Sequence, residues 1–581
     1  MNTSPPVTGG TLPAGAAVPP DSPHAVIHSL PTWLDVVEYM DNKEWAINAM
    51  KTTYPRVDLH SHVAQLTKIC SDLHGSQGEE CLLFPSSRIA RHCQEYIQKE
   101  SNDTGEPRVL HFELPFKDDP TTSHLFPDNV PDIFAVFCPS SSFSRAMQFW
   151  VYTGTGISSR LAEHCLSLLP EGLVDYSALT LSISPRSWQD MDYYRVHKPL
   201  DSGTKAKAVI QNLFSGIIGD GPDNIRGVPY VSPDDVYLYS SGMNAIWEAH
   251  MMNLHTQSNV QKCAALNLLY THTHGILENW GPGYHLFSSG SIDGLEAFLT
   301  LEHAQNPNQP PISALYTDFP SNPLLRSPDL SRLRKLADQY GFPIIIDETV
   351  GNFLTLQLLP YADIITCSLT KIFSGLANVM GGAFLLNPAS KHYHTFKTYL
   401  DANYEYTYFS EDAICMEANS RDMKQRPTSA TPDSVREGST IARVLYPKYH
   451  MRENYERCWS KCTSNPGYGG LLTLVFTSTA AAVVFYDALT CYKAITFGTV
   501  FALAVPFAPV WFQDRLEWAY ENGIDYASVR FSIGLEDLTS LKDCFKAALS
   551  KAEDAETKEA SLPPEARIKI VVSRPSLEAA A

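Results

Sequence analysis

Between about residues 206 and 390 the chain alternates helical patterns with short apolar runs. A helix ending near Leu254 is followed by KCAALNLLY, the helical SIDGLEAFLTLEH, then ISALYTDF, the helical DLSRLRKLADQYG, PIIIDET, ADIITCSL and GGAFLL. Apolar runs of roughly four to eight residues between helices are the signature of strands buried on both faces of a parallel sheet, so this region reads as an α/β layer. From about 391 to 550 the pattern changes to longer helices with fewer strands, GLLTLVF and ASVRFSIG among them, which predicts a smaller α+β domain. Ahead of the sheet, residues 24–205 form a mixed segment with the strand-like DIFAVFCPS and the helix-like SRIARHCQEYIQKE. The Pro/Gly/Ala-rich residues 1–23 and the mostly polar residues 551–581 read as loose tails. No internal repeat is visible.

Two apolar stretches, 469–485 and 494–511, invite comparison with membrane spans. Both carry hydroxyl residues or Gly and Pro breakers and fall near the lower length limit, so they are expected to be buried strands with their connections. The first twenty residues lack the basic and apolar regions of a signal peptide.

Composition narrows the class. The chain has 581 residues, with 44% hydrophobic and 18% charged, which suits two or three packed domains and excludes a mainly disordered protein. Its 44 Lys and Arg against 63 Asp and Glu leave a net charge of −19, a surface that repels phosphate backbones and anionic lipid. Neither nucleic acid nor membrane is an expected partner. The 12 scattered cysteines in so large a chain point to a reducing, cytoplasmic setting. Cys458 and Cys462 lack the second pair that a structural zinc site needs, so no metal is expected.

The richest chemistry lies in 347–382, DETVGNFLTLQLLPYADIITCSLTKIFSGLANVMGG, which puts Asp347 at the end of one buried strand and Lys371 just after the next. A lysine at an apolar strand end, with Ser368 and Thr370 before it and Gly375, Gly381 and Gly382 after it, is placed to lose its charge by desolvation and act as a Schiff-base amine. The alternative is a lysine whose ammonium stays in water. In YLYSSGM an aromatic strand runs through Ser240, Ser241 and Gly242 straight into a helix, which aims free N–H groups at one spot, as a phosphate site or merely as a helix cap. DFPSNPLL ends another strand with an Asn between Ser and Pro. Set at the ends of strands in one parallel sheet, these groups converge on one crevice.

Together the motifs resemble the Cys/Met-metabolism family of pyridoxal-phosphate enzymes, most closely its fungal cystathionine γ-synthase branch. SSGM, DFPSNPLL, DET and SLTK stand in the family's order, followed by LYPKY, GYGGLLTL, LEWAYENGI and VRFSIGLED, and preceded by HAVIHSLPTWLDVVEY and TTYPR. The resemblance implies an aspartate-aminotransferase-like type I fold with a large α/β domain and a smaller C-terminal α+β domain, assembled as a homodimer or homotetramer with the N-terminal segment 24–205 packed across the partner. It implies that Lys371 bonds to the cofactor and shuttles protons, and that Asp347 keeps the pyridine nitrogen protonated. Ser241, Gly242, Met243, Ser368 and Thr370 would contact the phosphate, Asn322 the ring hydroxyl, and Thr349 would join the cofactor-binding set. Tyr270 would stack on the ring and assist proton transfer, while Arg530, with Thr496 nearby, would take the substrate carboxylate. Tyr54 and Arg56 resemble a Tyr-x-Arg that reaches the phosphate of a neighbouring subunit. The implied reaction is γ-replacement on an O-acyl-L-homoserine with cysteine or another nucleophile, as in transsulfuration and methionine biosynthesis. The alternatives that keep the cofactor are β- or γ-elimination and substitution by a carbon or nitrogen nucleophile in a specialised pathway.

Three positions depart from the family's pattern: Leu376 and Ala377 where a polar run follows the lysine, His272 where Gly or Asp is usual, and Thr496-Phe497-Gly498 where Ser-Leu-Gly is usual. They bear on the substrate, unless they are drift within one branch. A competing reading comes from VDLHSH at 57–62, whose two histidines, on a strand, would share a side as the first ligands of a metal-dependent amidohydrolase do. A non-catalytic paralogue is disfavoured by Lys371, Asp347 and Arg530 occurring together.

Overall fold

The computed structural model describes residues 11–99, 105–113, 132–169, 182–183, 201–217, 224–426, 439–463 and 466–561. A seven-stranded sheet carries the site, in the order Val236–Tyr239, Gly382–Leu386, Ile364–Ser368, Ile344–Asp347, Leu315–Asp318, Cys263–Leu266 and Tyr284–Phe287. The sheet is not wholly parallel. Gly382–Leu386 runs against both of its neighbours. The segment between Ser368 and Gly382 holds the lysine and no helix, and a strand that returns antiparallel needs no helical crossover. The remaining strands are joined by helices as the alternating pattern predicts, except that Ile344–Asp347 and Ile364–Ser368 are separated by the single 3-10 turn Leu359–Tyr361. One of these, Leu330–Tyr340, starts where the Asp329 carboxylate accepts the Arg332 N–H and stops at Gly341, whose φ of +88° favours glycine.

The helix Gly242–His255 is buried from Gly242 through Asn253, because it is covered on two sides. One side is the sheet. The other is an N-terminal domain whose four strands, Glu79–Phe84, Ile133–Pro139, Arg108–Glu113 and Ser182–Ile183, pair antiparallel. Helices Ser61–His74, Ser87–Gln98, Phe143–Thr153 and Ser159–Ser167 accompany this sheet. Phe84, Phe137, Phe149 and Trp150 of this domain share one apolar cluster with Met243, Ile246, Trp247 and Met251. Arg88 adds ion pairs to Glu248 and Glu405. This domain thus packs on the large domain of its own chain.

The C-terminal domain has five strands in the order Ile441–Leu445, Leu471–Phe476, Ser528–Ser532, Leu503–Pro506 and Tyr492–Lys493. Both stretches compared with membrane spans break into short elements: Leu471–Phe476 then the helix Thr479–Ala488, and Leu503–Pro506 then Phe507–Trp511. Among the described residues no helix is long and apolar enough to cross a membrane. The last helix, Leu538–Ser561, continues past position 550 into the stretch read as a loose tail, and residues 562–581 lie outside the described residues.

The reading of a loose start also gives way. Residues 1–10 lie outside the described residues, but Ala17–Val18 pairs with Ile27–His28. Val18, Val26 and Ile27 are buried with Phe501, and Leu376 and Ala377 belong to the same cluster. This ribbon is tied on two sides. Val26 N–H donates to Ala377 O at 2.8 Å beside the lysine loop, and Leu30 N–H donates to Lys493 O at 2.9 Å in the C-terminal domain. Lys493 Nζ returns a bond to Pro31 O at 2.7 Å.

Candidate active site

Strand ends deliver the polar groups to one cavity of about 710 Å³, lined by Gly242, Met243, Tyr270, Asp318, Asn322, Asp347, Thr349, Ser368, Lys371, Thr496 and Arg530. At its floor the helix Gly242–His255 points its first turn inward, and first-turn N–H groups have no intrahelical acceptor. Gly242 is required there: a Cβ would come within 2.6 Å of Ser368 Cβ. Ser241 and Thr370, expected at the phosphate, are occupied otherwise. Ser241 Oγ caps the helix through Asn244 N–H at 3.1 Å and donates to Gly154 O at 2.9 Å. Thr370 Oγ1 accepts Gly381 N–H at 3.1 Å and donates to Gly381 O at 3.3 Å. Neither lines the cavity, whereas Gly242, Met243 and Ser368 do.

Asp347 closes the strand Ile344–Asp347 and accepts Thr349 N–H at 2.8 Å. Burial raises its carboxyl from 3.8 to about 6. Thr349 Oγ1 accepts Ser368 N–H at 2.8 Å, so this threonine braces the acid strand against the lysine strand. Behind Asp347 the buried Glu348 pairs with Arg226 at 2.8 Å.

Lys371 Nζ donates to Thr496 Oγ1 at 2.7 Å and lies 4.9 Å from the centroid of the Tyr54 ring. Desolvation, then the Arg530 and Arg56 cations, lower its pKa from 10.5 to about 7. Arg530 is held by Asn322 Oδ1 at 3.1 Å and Thr496 O at 3.2 Å, and its Nε is buried with no partner among the described residues. Burial lowers its pKa to about 10. Tyr270 Oη accepts from Arg56 Nη2 at 2.6 Å, and Tyr270 N–H donates to Asp318 Oδ2 at 2.9 Å. Burial raises the phenol above its ordinary range, against the pull of the Arg56 cation.

Tyr54 and Arg56 line the same cavity as the lysine of their own chain. Arg56 also donates to Val151 O at 2.6 Å and shares a 2.9 Å hydrogen bond with His272 Nδ1.

Sequence reasoning passed over Asp318, the acid that opens DFPSNPLL. It ends a strand as Asp347 does and lines the cavity, and burial with the nearby Asp347 charge pushes its carboxyl well above the ordinary range. Its strand-end position was a sufficient signal. Trp511 and the ribbon residues Val26, Ile27 and His28 also line the cavity; the ribbon residues fall in HAVIHSLPTWLDVVEY, a stretch that marked the resemblance without marking a site. Leu376 and Ala377 do not line it. Their apolar character matches the ribbon packed on them, so this departure concerns packing rather than substrate.

VDLHSH does not form a two-ligand strand. His60 precedes the helix Ser61–His74 and its Nδ1 accepts His62 N–H at 3.3 Å, which puts the second histidine in the first turn. Neither histidine lines the cavity.

The residues fit pyridoxal phosphate. A floor that only glycine allows, an amine near neutrality, a desolvated carboxyl and an arginine with an unsatisfied Nε face one space. The comparisons agree. Residues 232–550 match the family described as Cys/Met metabolism PLP-dependent enzyme, and residues 62–158 match the N-terminal domain of fungal trans-sulfuration enzymes. The chain is 39% identical to the cystathionine gamma-synthase-like enzyme iboG1 of Amanita muscaria, covering 94% of this chain and 98% of the relative. It is 32% identical to the cystathionine gamma-synthase of Neurospora crassa, over 93% and 98%, and 31% identical to the alanine racemase ungC of Aspergillus violaceofuscus, over 89% and 93%. The chain belongs to the Cys/Met metabolism family of PLP-dependent enzymes.

Proposed function

We propose that the protein catalyses γ-replacement on an O-acyl-L-homoserine, in which a nucleophile takes the place of the acyl group at Cγ, with cystathionine the product when the nucleophile is cysteine. The observation that carries this reading is the pairing, across one cavity, of a near-neutral lysine with an arginine whose Nε has no partner. Bound pyridoxal phosphate supplies an electron sink that makes protons on the substrate's α and β carbons removable.

The chain's own residues do the rest. Arg530, set by Asn322 and Thr496, takes the substrate carboxylate on its free edge. Lys371, uncharged in a useful fraction near neutral pH, takes a proton at the α carbon and returns it at a neighbouring carbon, while Thr496 Oγ1 holds its amine in line. Tyr270 is oriented by Arg56 and Asp318 for a second proton relay. Asp347 would hold the ring nitrogen, Asn322 the ring hydroxyl, and Gly242, Met243 and Ser368 the phosphate. The aromatic walls exclude water, which limits premature hydrolysis.

The reading places the enzyme in the cytoplasm as a homodimer or homotetramer. A second outcome, elimination or attack by another nucleophile, keeps the same residues; a relative of similar identity is named an alanine racemase, so the fold does not fix the outcome. Incubating the holoenzyme with O-acetyl-L-homoserine, with and without L-cysteine, and weighing the products decides between them. Cystathionine is expected with cysteine; oxobutanoate in both cases marks elimination and rejects replacement.

A further inference from the structure

A second chamber of about 430 Å³ adjoins the cofactor cavity. Tyr270, His272, Asn322 and Trp511 line both spaces, so they form the wall between them. The wall is aromatic: the Tyr270 and Trp511 ring centroids lie 5.8 Å apart, and His272 and Trp511 lie 6.0 Å apart. His272 is the position where the chain departs from its family's pattern, and here it has a defined state. Its Nδ1 bonds with the Arg56 guanidinium, and burial together with that cation holds the ring well below its ordinary pKa. The imidazole is therefore neutral, with Nδ1 accepting and the proton on Nε2, a donor with no acceptor among the described residues.

The outer part of the chamber carries two charges of opposite sign. Arg515 lies over the Phe512 and Trp518 rings, with centroid distances of 5.2 and 5.0 Å, and no described carboxylate forms an ion pair with it. Glu278, on the rim, accepts a hydrogen bond from Tyr284 Oη at 3.4 Å. A cation and an anion at the edge of a space this size suit a small zwitterion. In the cofactor cavity Arg530 already has two of its donor nitrogens on Asn322 and Thr496, leaving one edge for one carboxylate. A reaction that joins two amino acids needs a second carboxylate anchor, and Arg515 is on the other side of the shared wall.

We propose that this chamber seats the second substrate, and that this substrate is a free amino acid with its nucleophilic atom on the side chain. Arg515 takes its carboxylate, Glu278 its ammonium group, and the aromatic walls direct the nucleophile past His272 toward Tyr270. The new bond forms between the nucleophilic atom and Cγ; the Cγ–O bond breaks, its electron pair leaves with the acyl group as a carboxylate, and the proton lost by the nucleophile balances that charge. This inference rests on the γ-replacement reading. It makes Arg515 and Glu278 specificity-determining residues that leave the first substrate's site untouched.

The test uses the holoenzyme, O-acetyl-L-homoserine and three thiols: L-cysteine, cysteamine without the carboxylate, and 3-mercaptopropionate without the amine. Arg515→Gln is expected to raise KM for L-cysteine about tenfold or more, leaving KM for O-acetyl-L-homoserine and for cysteamine unchanged. Glu278→Gln is expected to raise KM for L-cysteine and leave 3-mercaptopropionate unchanged. Equal use of all three thiols by the unmodified enzyme, or variants that alter none of these constants, overturns the proposal. If no thiol adduct forms, γ-replacement itself fails, and calorimetry still decides the chamber, since 3-mercaptopropionate has no amine to engage the cofactor. Binding lost in Arg515→Gln and kept in Arg530→Lys supports the chamber; binding kept in Arg515→Gln, or absent from the unmodified enzyme, overturns it.

Discussion

Lys371 shows how much one residue's surroundings change its chemistry. An ordinary lysine amine is charged at neutral pH; this one, desolvated and facing Arg530 and Arg56, has a pKa of about 7. Between about pH 7 and 10.5 the folded apoenzyme binds fewer protons at this group than the unfolded chain does. Its burial therefore costs stability in full below about pH 7, and the cost fades as pH rises toward 10.5. Apo Lys371→Met is expected to be more stable than the unmodified apoenzyme near pH 7 by on the order of 2–4 kcal/mol, with the gap narrowing toward pH 10. Denaturant melts at several pH values check this, and a gap that is flat with pH counts against a free, depressed amine. The same variant is expected to lose turnover and the imine absorbance band of the holoenzyme. The position of this lysine was legible in SLTK, because an apolar strand led straight into it. Its pKa was not, since Arg56 and Arg530 come from distant parts of the chain and meet it only in the fold.

At the level of elements, the strand-turn-helix YLYSSGM was legible because it packs an aromatic strand, a cap and a glycine into seven residues. The helix follows the turn as expected but begins at Gly242, two residues before the NAIWEAHMMNL read as its start. The division of labour inside the motif was not visible: Ser241 serves the helix cap and Gly154, while Gly242 lets the helix approach Ser368. Gly242→Ala is expected to push helix and strand apart, lowering stability by about 1–3 kcal/mol and weakening cofactor affinity more than it changes the overall secondary structure. Thermal melts and cofactor titration measure the two effects. The reversed strand Gly382–Leu386 escaped notice because an apolar run of five residues says nothing about direction, and only the absence of a helix before it hinted at the return. Asp318 escaped for a different reason, overshadowed by the asparagine four residues later in the same motif.

At the level of the whole molecule, Tyr54 and Arg56 stand in the same cavity as the lysine of their own chain. Arg56 bonds to Tyr270, His272 and Val151, and the last of these belongs to the N-terminal domain. Mixing the two inactive variants Lys371→Ala and Arg56→Ala is therefore expected to restore no activity, whereas a site shared between subunits would regain part of it in mixed oligomers. The large domain was legible through its alternating pattern. The N-terminal domain's docking surface was not, because Trp247 and Met251 read as ordinary helix residues until the facing Phe149 and Trp150 are seen against them. Stitched to the lysine loop on one flank and to Lys493 on the other, the ribbon at residues 26–31 works as a belt that limits how far the two halves can part. Held on both flanks, this belt keeps Val26, Ile27 and His28 against the cofactor cavity that they line.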